Sequence, residues 1–202
     1  MDLSLILVGA HDGSKTQQLV AKACQQGKAL LIEPVPWLFE KLKARYSDNP
    51  NIILHNSVIA GVEGEVEFYA PLESANEVDE TGDQLGSLNP SHAVLHNSEF
   101  EQKFQKISVH ADTFESLFAR FDIGKVKFLV TDTEGHDAVI LSQFPFARTK
   151  PRQIMFEHKH IDGIHRIGLK FAELLIMLDG AGYRMKILDQ ENCLAQLMNS
   201  EP

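Results

Sequence analysis

The segment LILVGAHDGSKTQQL, residues 5–19, decides the fold class of this chain. Residues 3–8 form a continuous apolar run that stops at Gly9, which is typical of a parallel strand buried on both faces. A second glycine, Gly13, follows four positions later. The amphipathic helix that we predict over residues 14–26 begins at a serine, a common N-cap. The pattern therefore predicts a strand, a glycine-flanked turn and a helix.

Similar apolar runs recur along the chain, at residues 29–32, 52–59, 126–130 and 154–156. Helical segments separate most of these runs. Residues 184–188 and 193–197 then form a strand pair with no helix between them, so one edge of the sheet should be antiparallel. We predict an α/β fold with a doubly wound, mostly parallel seven-stranded sheet and an antiparallel C-terminal edge strand, in a single domain over residues 1–202.

Two segments interrupt this alternation. Residues 61–69 contain two glycines and then alternate polar and apolar residues, which predicts a hairpin-like extension. Residues 71–106 are polar, with glycines at 82 and 86 and histidines at 92 and 96. Long irregular segments in compact domains are usually functional or disordered, so we expect a mobile insertion here.

Charge and composition restrict the classes of partner. The formal net charge of −9 makes a nucleic-acid partner unfavourable, since an acidic surface repels phosphates. Every apolar run is shorter than the roughly 20 residues of a membrane helix, and the first residues do not form a signal peptide. The two cysteines, Cys24 and Cys193, are too few for a disulfide framework, so we expect a cytoplasmic protein.

Polar residues follow the predicted strands, where open α/β sheets bind their ligands. Glu33 ends the second strand about twenty residues beyond the first turn, where an acid can bind both hydroxyls of a ribose. The turn itself lacks the G-x-G-x-x-G pattern that seats a pyrophosphate. A nucleoside without phosphates, such as S-adenosylmethionine, therefore fits better than a dinucleotide, and a tight turn without a ligand is the alternative.

Five blocks of the sequence resemble one protein family. They are VGAHDGSKT at 8–16, LLIEPVPWLFEKLKARYSDNPNIILHNSVIAG at 30–61, ADTFESL at 111–117, FLVTDTEGHDAVIL at 128–141 and IMFEHK at 154–159. In this order they resemble the FkbM-type S-adenosylmethionine-dependent methyltransferases, over about residues 5–160. The D-x-E-G motif is the most specific block. The chain differs at Val8, where many relatives have an acid.

The resemblance implies a set of cofactor contacts. They are Gly9, Ala10 and Gly13 for the methionine part, Glu33 for the ribose, Asn56, Ser57 and Val58 for the adenine, and Asp132 for the amino group or the reacting centre. Glu134 should point the same way as Asp132, because strand residues two apart share a face.

Methyl transfer to a hydroxyl requires an aligned acceptor oxygen and a group that removes its proton. The candidate bases are His158, Glu134 and His136, although a structural role is equally open for each histidine. Asp132, Glu134, Glu157 and His158 could instead hold a divalent metal ion, but acids that face a cationic cofactor explain them equally well. We therefore predict no metal site.

The expected function is methylation of a hydroxyl on a small molecule or a sugar. The acceptor class follows from the family resemblance alone. A nicotinamide-dependent oxidoreductase and a non-catalytic nucleoside-binding scaffold of the same fold are the alternatives. We expect either the segment 71–106 or a second subunit of a homo-oligomer to close the site.

Overall fold

A computed structural model describes residues 1–198 and places a seven-stranded sheet between two layers of helices. The strands are β1 Leu3–Val8, β2 Lys28–Ile32, β3 Ile52–His55, β4 Val58–Ile59, β5 Gly64–Pro71, β6 Phe104–Asp112, β7 Val126–Thr131, β8 Gln153–Glu157, β9 Tyr183–Ile187 and β10 Asn192–Leu197. The α-helices are α1 Gln17–Cys24, α2 Pro36–Tyr46, α3 His92–His96, α4 Phe114–Arg120, α5 Asp137–Ser142 and α6 Leu169–Gly180.

The strand order of the main sheet is β3-β2-β1-β7-β8-β10-β9, which confirms the predicted fold class. The first five of these strands are parallel. β10 is antiparallel to both of its neighbours, so the single reversed strand lies one position inside the edge, and β9 forms the edge. The chain order reverses between β1 and β7. In such sheets this switch point opens a crevice at the carboxyl ends of the strands.

β1 explains why the opening apolar run has no polar alternation. Ile6 and Val8 pack into the core on one face of the sheet, whereas Leu5 and Leu7 pack into the core on the other. All six residues of the strand are buried. A central parallel strand covered on both faces needs apolar residues at every position, and this requirement produces the continuous run.

Three local predictions differ from the structure. The third strand ends at His55, and β4 joins β6 and β5 in a separate three-stranded sheet. β5 pairs with β6 rather than with the residues that precede it, so no hairpin forms there. Helix α1 begins three residues later than expected, because Ser14 donates hydrogen bonds to Asp12 instead of capping the helix.

The segment 71–106 is largely folded into short elements. It contains 3₁₀ turns at Glu73–Glu77, Gly82–Gln84 and Ser98–Gln102, together with α3. A small core of its own holds them together, formed by Ala75, Leu85, Ala93 and Phe100. Mobility of this segment stays a prediction. Among residues 1–198, no helix has the length and hydropathy needed to cross a bilayer.

Candidate functional site

A cavity of about 920 Å³, including its open mouth, lies at the switch point between β1 and β7. Its walls are mostly apolar, and we call it the apolar cavity. Eight predicted site residues line it: Gly9, Ala10, Glu33, Ser57, Val58, Asp132, Glu134 and His136.

Gly9 directly follows β1 and lies against Asp132, which directly follows β7. It has a φ of +80°, and a Cβ there would lie 2.0 Å from the carbonyl oxygen of Asp132. Only glycine fits this position. The amides of Gly9 and Ala10 both donate to the carbonyl oxygen of Ile32, at 3.0 and 2.9 Å. A ligand can therefore approach the main chain of the turn closely at Gly9. The amides of Gly9 and Ala10 are already hydrogen-bonded within the protein.

Two residues assigned to the cofactor lie behind the wall of the cavity. At Gly13, a Cβ would lie 2.6 Å from the Tyr46 ring and 2.8 Å from Leu42, so this glycine lets the turn pack on α2. The Asn56 side-chain amide donates to the main-chain carbonyls of Glu33 and Pro34, at 2.7 and 3.2 Å. Both residues fix the shape of the cavity wall.

Glu33 is held rigidly at the end of β2. One carboxylate oxygen accepts from the His11 amide at 2.9 Å, and the other accepts from the Val35 amide at 2.8 Å. The side chain is 4% exposed. Burial raises the pKa of Glu33 to about 7, although these hydrogen bonds oppose the shift. The carboxylate has lone pairs left for a ligand in the cavity.

The adenine end of the predicted site rests on a buried polar network. The Ser57 hydroxyl donates to Asp112 at 2.7 Å, and the His55 ring contacts the same carboxylate oxygen at 2.7 Å. Asp112 is fully buried. Since the Ser57 hydroxyl is occupied, this wall meets a ligand mainly through apolar surface, including Val58 and Phe68.

A second cavity, of about 1,020 Å³ with its mouth, opens beside the first. We call it the polar cavity because charged and amide side chains dominate its walls. It shares four lining residues with the apolar cavity: Lys15, Gln84, Asp132 and Glu134. Lys15 donates to Gln84 at 2.6 Å, which connects the first turn to the segment 71–106. The two cavities therefore meet at Asp132 and Glu134.

Glu134 lies in a turn at this junction, whereas strand alternation predicted that it would lie on the strand with Asp132. β7 ends at Thr131, and Glu134 has a φ of +53° in the turn that follows. Left-handed backbone at a residue other than glycine is uncommon and stores strain, and such residues cluster at functional sites. The fully buried Asp137 supports the turn by accepting from the amide and the hydroxyl of Thr133.

Three crowded carboxyls give the junction unusual electrostatics. Although Asp132 is exposed by surface area, the surrounding protein reduces the hydration of its carboxyl, and this effect, followed by the charge of Glu134, raises the pKa of Asp132 to about 7. Burial, followed by the charge of Asp137, raises the pKa of Glu134 to about 8. Burial also raises the pKa of Glu157, whose Oε2 has no hydrogen-bond partner among the described residues. A proton shared in this group is available near neutral pH.

The two histidines proposed as bases have different surroundings. His136 lines the apolar cavity, its Nε2 has no partner in the described part of the chain, and burial lowers its pKa. His158 is buried and lines neither cavity. Its amide and its Nδ1 both approach the carbonyl oxygen of Glu191, at 2.7 and 2.6 Å. His158 therefore holds β8 to the loop before β10.

Sequence reasoning missed a cluster of histidines beside Glu134. His92 and His96, on α3, lie with their ring centroids 4.8 Å apart, and the His160 ring is 5.2 and 4.8 Å from them. Burial lowers the pKa of His92 and of His96 to about 4, so both rings are neutral at pH 7. Their i, i+4 spacing is the signal in the sequence, but the polar composition of the segment favours an irregular loop.

The strand order, the switch-point cavity and the acids at the strand ends define a Rossmann-like α/β fold of the class I methyltransferase type. Sequence comparison specifies the family. Residues 8–185 match the model of the methyltransferase FkbM domain, so the chain belongs to that family, as the resemblance predicted. Comparison with curated protein sequences gives no match.

Solved structures with a similar fold include two fibrillarins. The Methanococcus jannaschii fibrillarin pre-rRNA processing protein is 14% identical with a TM-score of 0.53, and the alignment covers 97% of this chain and 66% of that one. Aeropyrum pernix fibrillarin, in complex with natively bound S-adenosyl-L-methionine, is 12% identical with a TM-score of 0.51, with 96% and 65% covered. The chain thus spans about two thirds of these proteins, and such low identity establishes the fold alone.

Proposed function

We propose that this protein transfers a methyl group from S-adenosylmethionine to a hydroxyl of a small molecule or a sugar. Membership of the FkbM methyltransferase family supports the reaction type. S-adenosylmethionine bound to a fibrillarin of similar fold supports the cofactor. The apolar cavity, with Glu33 fixed at the end of β2, is the proposed cofactor site.

The observation that carries this proposal is the meeting of the two cavities at Asp132 and Glu134. A methyltransferase must bind two molecules so that an acceptor atom is in line with the methyl carbon. A nucleoside in the apolar cavity and a hydroxylated acceptor in the polar cavity would approach each other at this junction. One continuous site for a dinucleotide would not need a second cavity of different polarity.

Glu134 is the base that this geometry favours. It lines both cavities, and its raised pKa brings proton transfer close to neutral pH. His136 lines only the apolar cavity, so it is the second candidate. His158 lines neither cavity and lacks the reach that a base needs.

Calorimetry tests the cofactor assignment. S-adenosylmethionine and S-adenosylhomocysteine should each bind with a micromolar dissociation constant, on the order of −8 kcal/mol. Glu33→Gln removes one charged acceptor and should weaken both by about 1.5–3 kcal/mol. Glu63→Gln, at an exposed turn position, is the matched control and should bind like the parent.

The outcomes separate the rival functions. Binding of NAD without binding of S-adenosylmethionine would indicate an oxidoreductase. Binding of S-adenosylmethionine without release of S-adenosylhomocysteine, across a panel of sugars and small hydroxylated acceptors, would favour a non-catalytic scaffold. If Glu33→Gln binds like the parent while circular dichroism shows an unchanged fold, the ribose assignment fails and the rest of the proposal stands.

A further inference from the structure

We propose that His92, His96 and Glu134 bind a divalent transition-metal ion at the edge of the polar cavity. The two histidines lie one turn apart on α3, in the segment 71–106. Side chains at i and i+4 project from the same face of a helix, so the pair is aimed at a single point. Glu134 comes from the turn after β7, and its carboxylate contacts His92.

The ligand atoms are already gathered. One nitrogen or oxygen atom from each of His92, His96, Glu134 and His160 lies within 4.8 Å of every other. His92 Nε2 is 2.8 Å from Glu134 Oε2. Ligand bonds of about 2.0–2.2 Å would place tetrahedral ligand atoms roughly 3.4 Å apart, which lies between the 2.8 Å of the His92–Glu134 pair and the 4.8 Å limit of the set.

A second, independent observation points to a ligand. The Nε2 atom of His96 is buried and has no hydrogen-bond partner among the described residues. An unpaired buried polar nitrogen costs roughly 1–3 kcal/mol, and such atoms in proteins usually have a partner. His96 lines the polar cavity together with Glu134. Coordination of a cation would satisfy this nitrogen.

His160 lies beside these ligands but does not act as one in this arrangement. Its Nδ1 accepts a hydrogen bond from the His165 amide at 3.0 Å. A neutral imidazole that accepts at Nδ1 carries its proton on Nε2, so that nitrogen is a donor. Nε2 lies 3.5 Å from Glu157 and 3.9 Å from Glu134, both of which are acceptors. We therefore place His160 beside the ligand set and not in it.

The ligand chemistry selects the class of metal ion. Two imidazoles and one carboxylate form a set found in catalytic zinc sites, where the remaining position is open to water or substrate. Imidazole suits Zn²⁺, Cu²⁺, Fe²⁺ and Ni²⁺, whereas Mg²⁺ and Ca²⁺ prefer oxygen ligands. The neighbouring acids Asp132, Glu134 and Glu157 form the competing site for a hard cation. Metal preference therefore distinguishes the two sites.

The ion would also have a role in the proposed methyl transfer. This catalytic role rests on the proposed function, whereas metal binding itself does not. The ion would fix α3 against the Glu134 turn and polarise an acceptor hydroxyl in the polar cavity. Glu134 contacts His92 through Oε2, so its other carboxylate oxygen, Oε1, is not used in that contact. The hydroxyl proton would pass to Oε1. The acceptor oxygen would form its bond to the methyl carbon as the bond from that carbon to sulfur breaks, releasing S-adenosylhomocysteine.

The test uses tag-free protein stripped with a chelator. Titration with ZnCl₂ should show one site, and CoCl₂ should give visible absorption bands from the bound ion. Loss of an outer-shell partner typically costs 10–100-fold in affinity, so His92→Ala, His96→Ala and Glu134→Gln should each weaken Zn²⁺ binding by at least about 100-fold. His110→Ala changes a histidine on β6 that lies outside the cluster, and it should bind like the parent.

Three results would overturn the proposal: no Zn²⁺ binding by the parent, parent-like binding by His96→Ala, or parent-like binding by Glu134→Gln. Circular dichroism of each variant separates loss of a ligand from loss of the fold. S-adenosylmethionine titration of the same samples keeps the two proposals apart. If that cofactor binds and Zn²⁺ does not, the metal proposal fails alone; if Zn²⁺ binds and the cofactor does not, the proposed function fails alone.

Discussion

The two cavities that meet at Asp132 and Glu134 are built in different ways. The apolar cavity is formed mainly by the ends of β1, β2 and β7 and the turns that follow them, and four residues of the segment 71–106 also line it. The amides of Gly9 and Ala10 in its wall are bonded within the protein. The polar cavity combines strand-end acids with side chains from the segment 71–106, and it contains partnerless atoms such as Glu157 Oε2. Among the described residues each cavity has two buried side-chain atoms without a hydrogen-bond partner, His11 Nε2 and His136 Nε2 in the apolar cavity and His96 Nε2 and Glu157 Oε2 in the polar cavity. The cavities differ because only the polar cavity is lined by all three crowded carboxyls.

This contrast indicates where recognition and chemistry divide. A preformed apolar cavity suits a constant ligand, such as a cofactor. Unpaired and crowded polar groups carry a free-energy cost, and such costs are concentrated at functional sites. The segment 71–106 contributes more of the lining to the polar cavity than to the apolar cavity. Variation of the acceptor is therefore expected to involve this segment, whereas the proposed cofactor site should depend mainly on the sheet.

The largest effect should come from removing the shared carboxylate. Glu134→Gln should lower turnover by roughly 10²–10⁴-fold, because that is the usual contribution of a general base. S-adenosylhomocysteine release, with whichever acceptor of the panel is methylated, measures this loss. His158→Asn keeps a donor near the Glu191 carbonyl and should lose less than about tenfold, since removal of a catalytic base costs more than that. Equal losses in both variants would contradict the separate roles.

The next largest effect should be on the sheet that forms the apolar cavity. Gly9→Ala places a Cβ 2.0 Å from the Asp132 carbonyl oxygen at a φ of +80°. Backbone strain and overpacking together should lower the free energy of unfolding by about 4 kcal/mol, measured in urea. Gly180→Ala, where a Cβ meets nothing within 4 Å, is the control and should be close to neutral. Similar stabilities for the two variants would show that β1 and β7 separate easily.

A third test uses the pH dependence of Glu33. Its pKa rises from 4.5 in the unfolded chain to about 7 in the folded protein, so the folded state retains this proton longer. Stability should therefore fall as the pH rises from about 4.5 to 7, with this residue contributing up to about 3 kcal/mol. Glu33→Gln should remove that part of the decline, as measured by urea unfolding across this range. Glu63→Gln should keep it, and a parallel decline in both variants would place the titration elsewhere.

The smallest effect concerns the attachment of the segment 71–106. The Trp37 indole donates to the Pro71 carbonyl at 2.9 Å, where this segment begins. Trp37→Phe keeps the aromatic packing and loses one hydrogen bond, which should cost about 1 kcal/mol. Circular dichroism should follow the unfolding, because the variant lacks the only tryptophan. Lys41→Ala removes a cation that lies 4.6 Å over the same ring and should cost less, about 0.5 kcal/mol.

The elements nearest the main sheet were the most predictable. Gly9, Glu33 and Asp132 follow buried strands, and parallel strands bring their carboxyl ends to one edge, so their convergence could be inferred from spacing. Gly13 and Asn56 were assigned to the cofactor because they belong to the same motifs. The structure places them behind the cavity wall, since a motif residue can shape a site without lining it.

By itself, the sequence determined the buried strands, the helices and turns that alternate with them, and the acids at the ends of the strands. These features arise from local periodicity and from the burial of β1 on both faces. Only the tertiary structure decided that β5 pairs with β6, that Glu134 turns on left-handed backbone, and that His92 and His96 meet it. The physical reason is that contacts across forty residues depend on packing, which a periodic pattern in one segment does not specify.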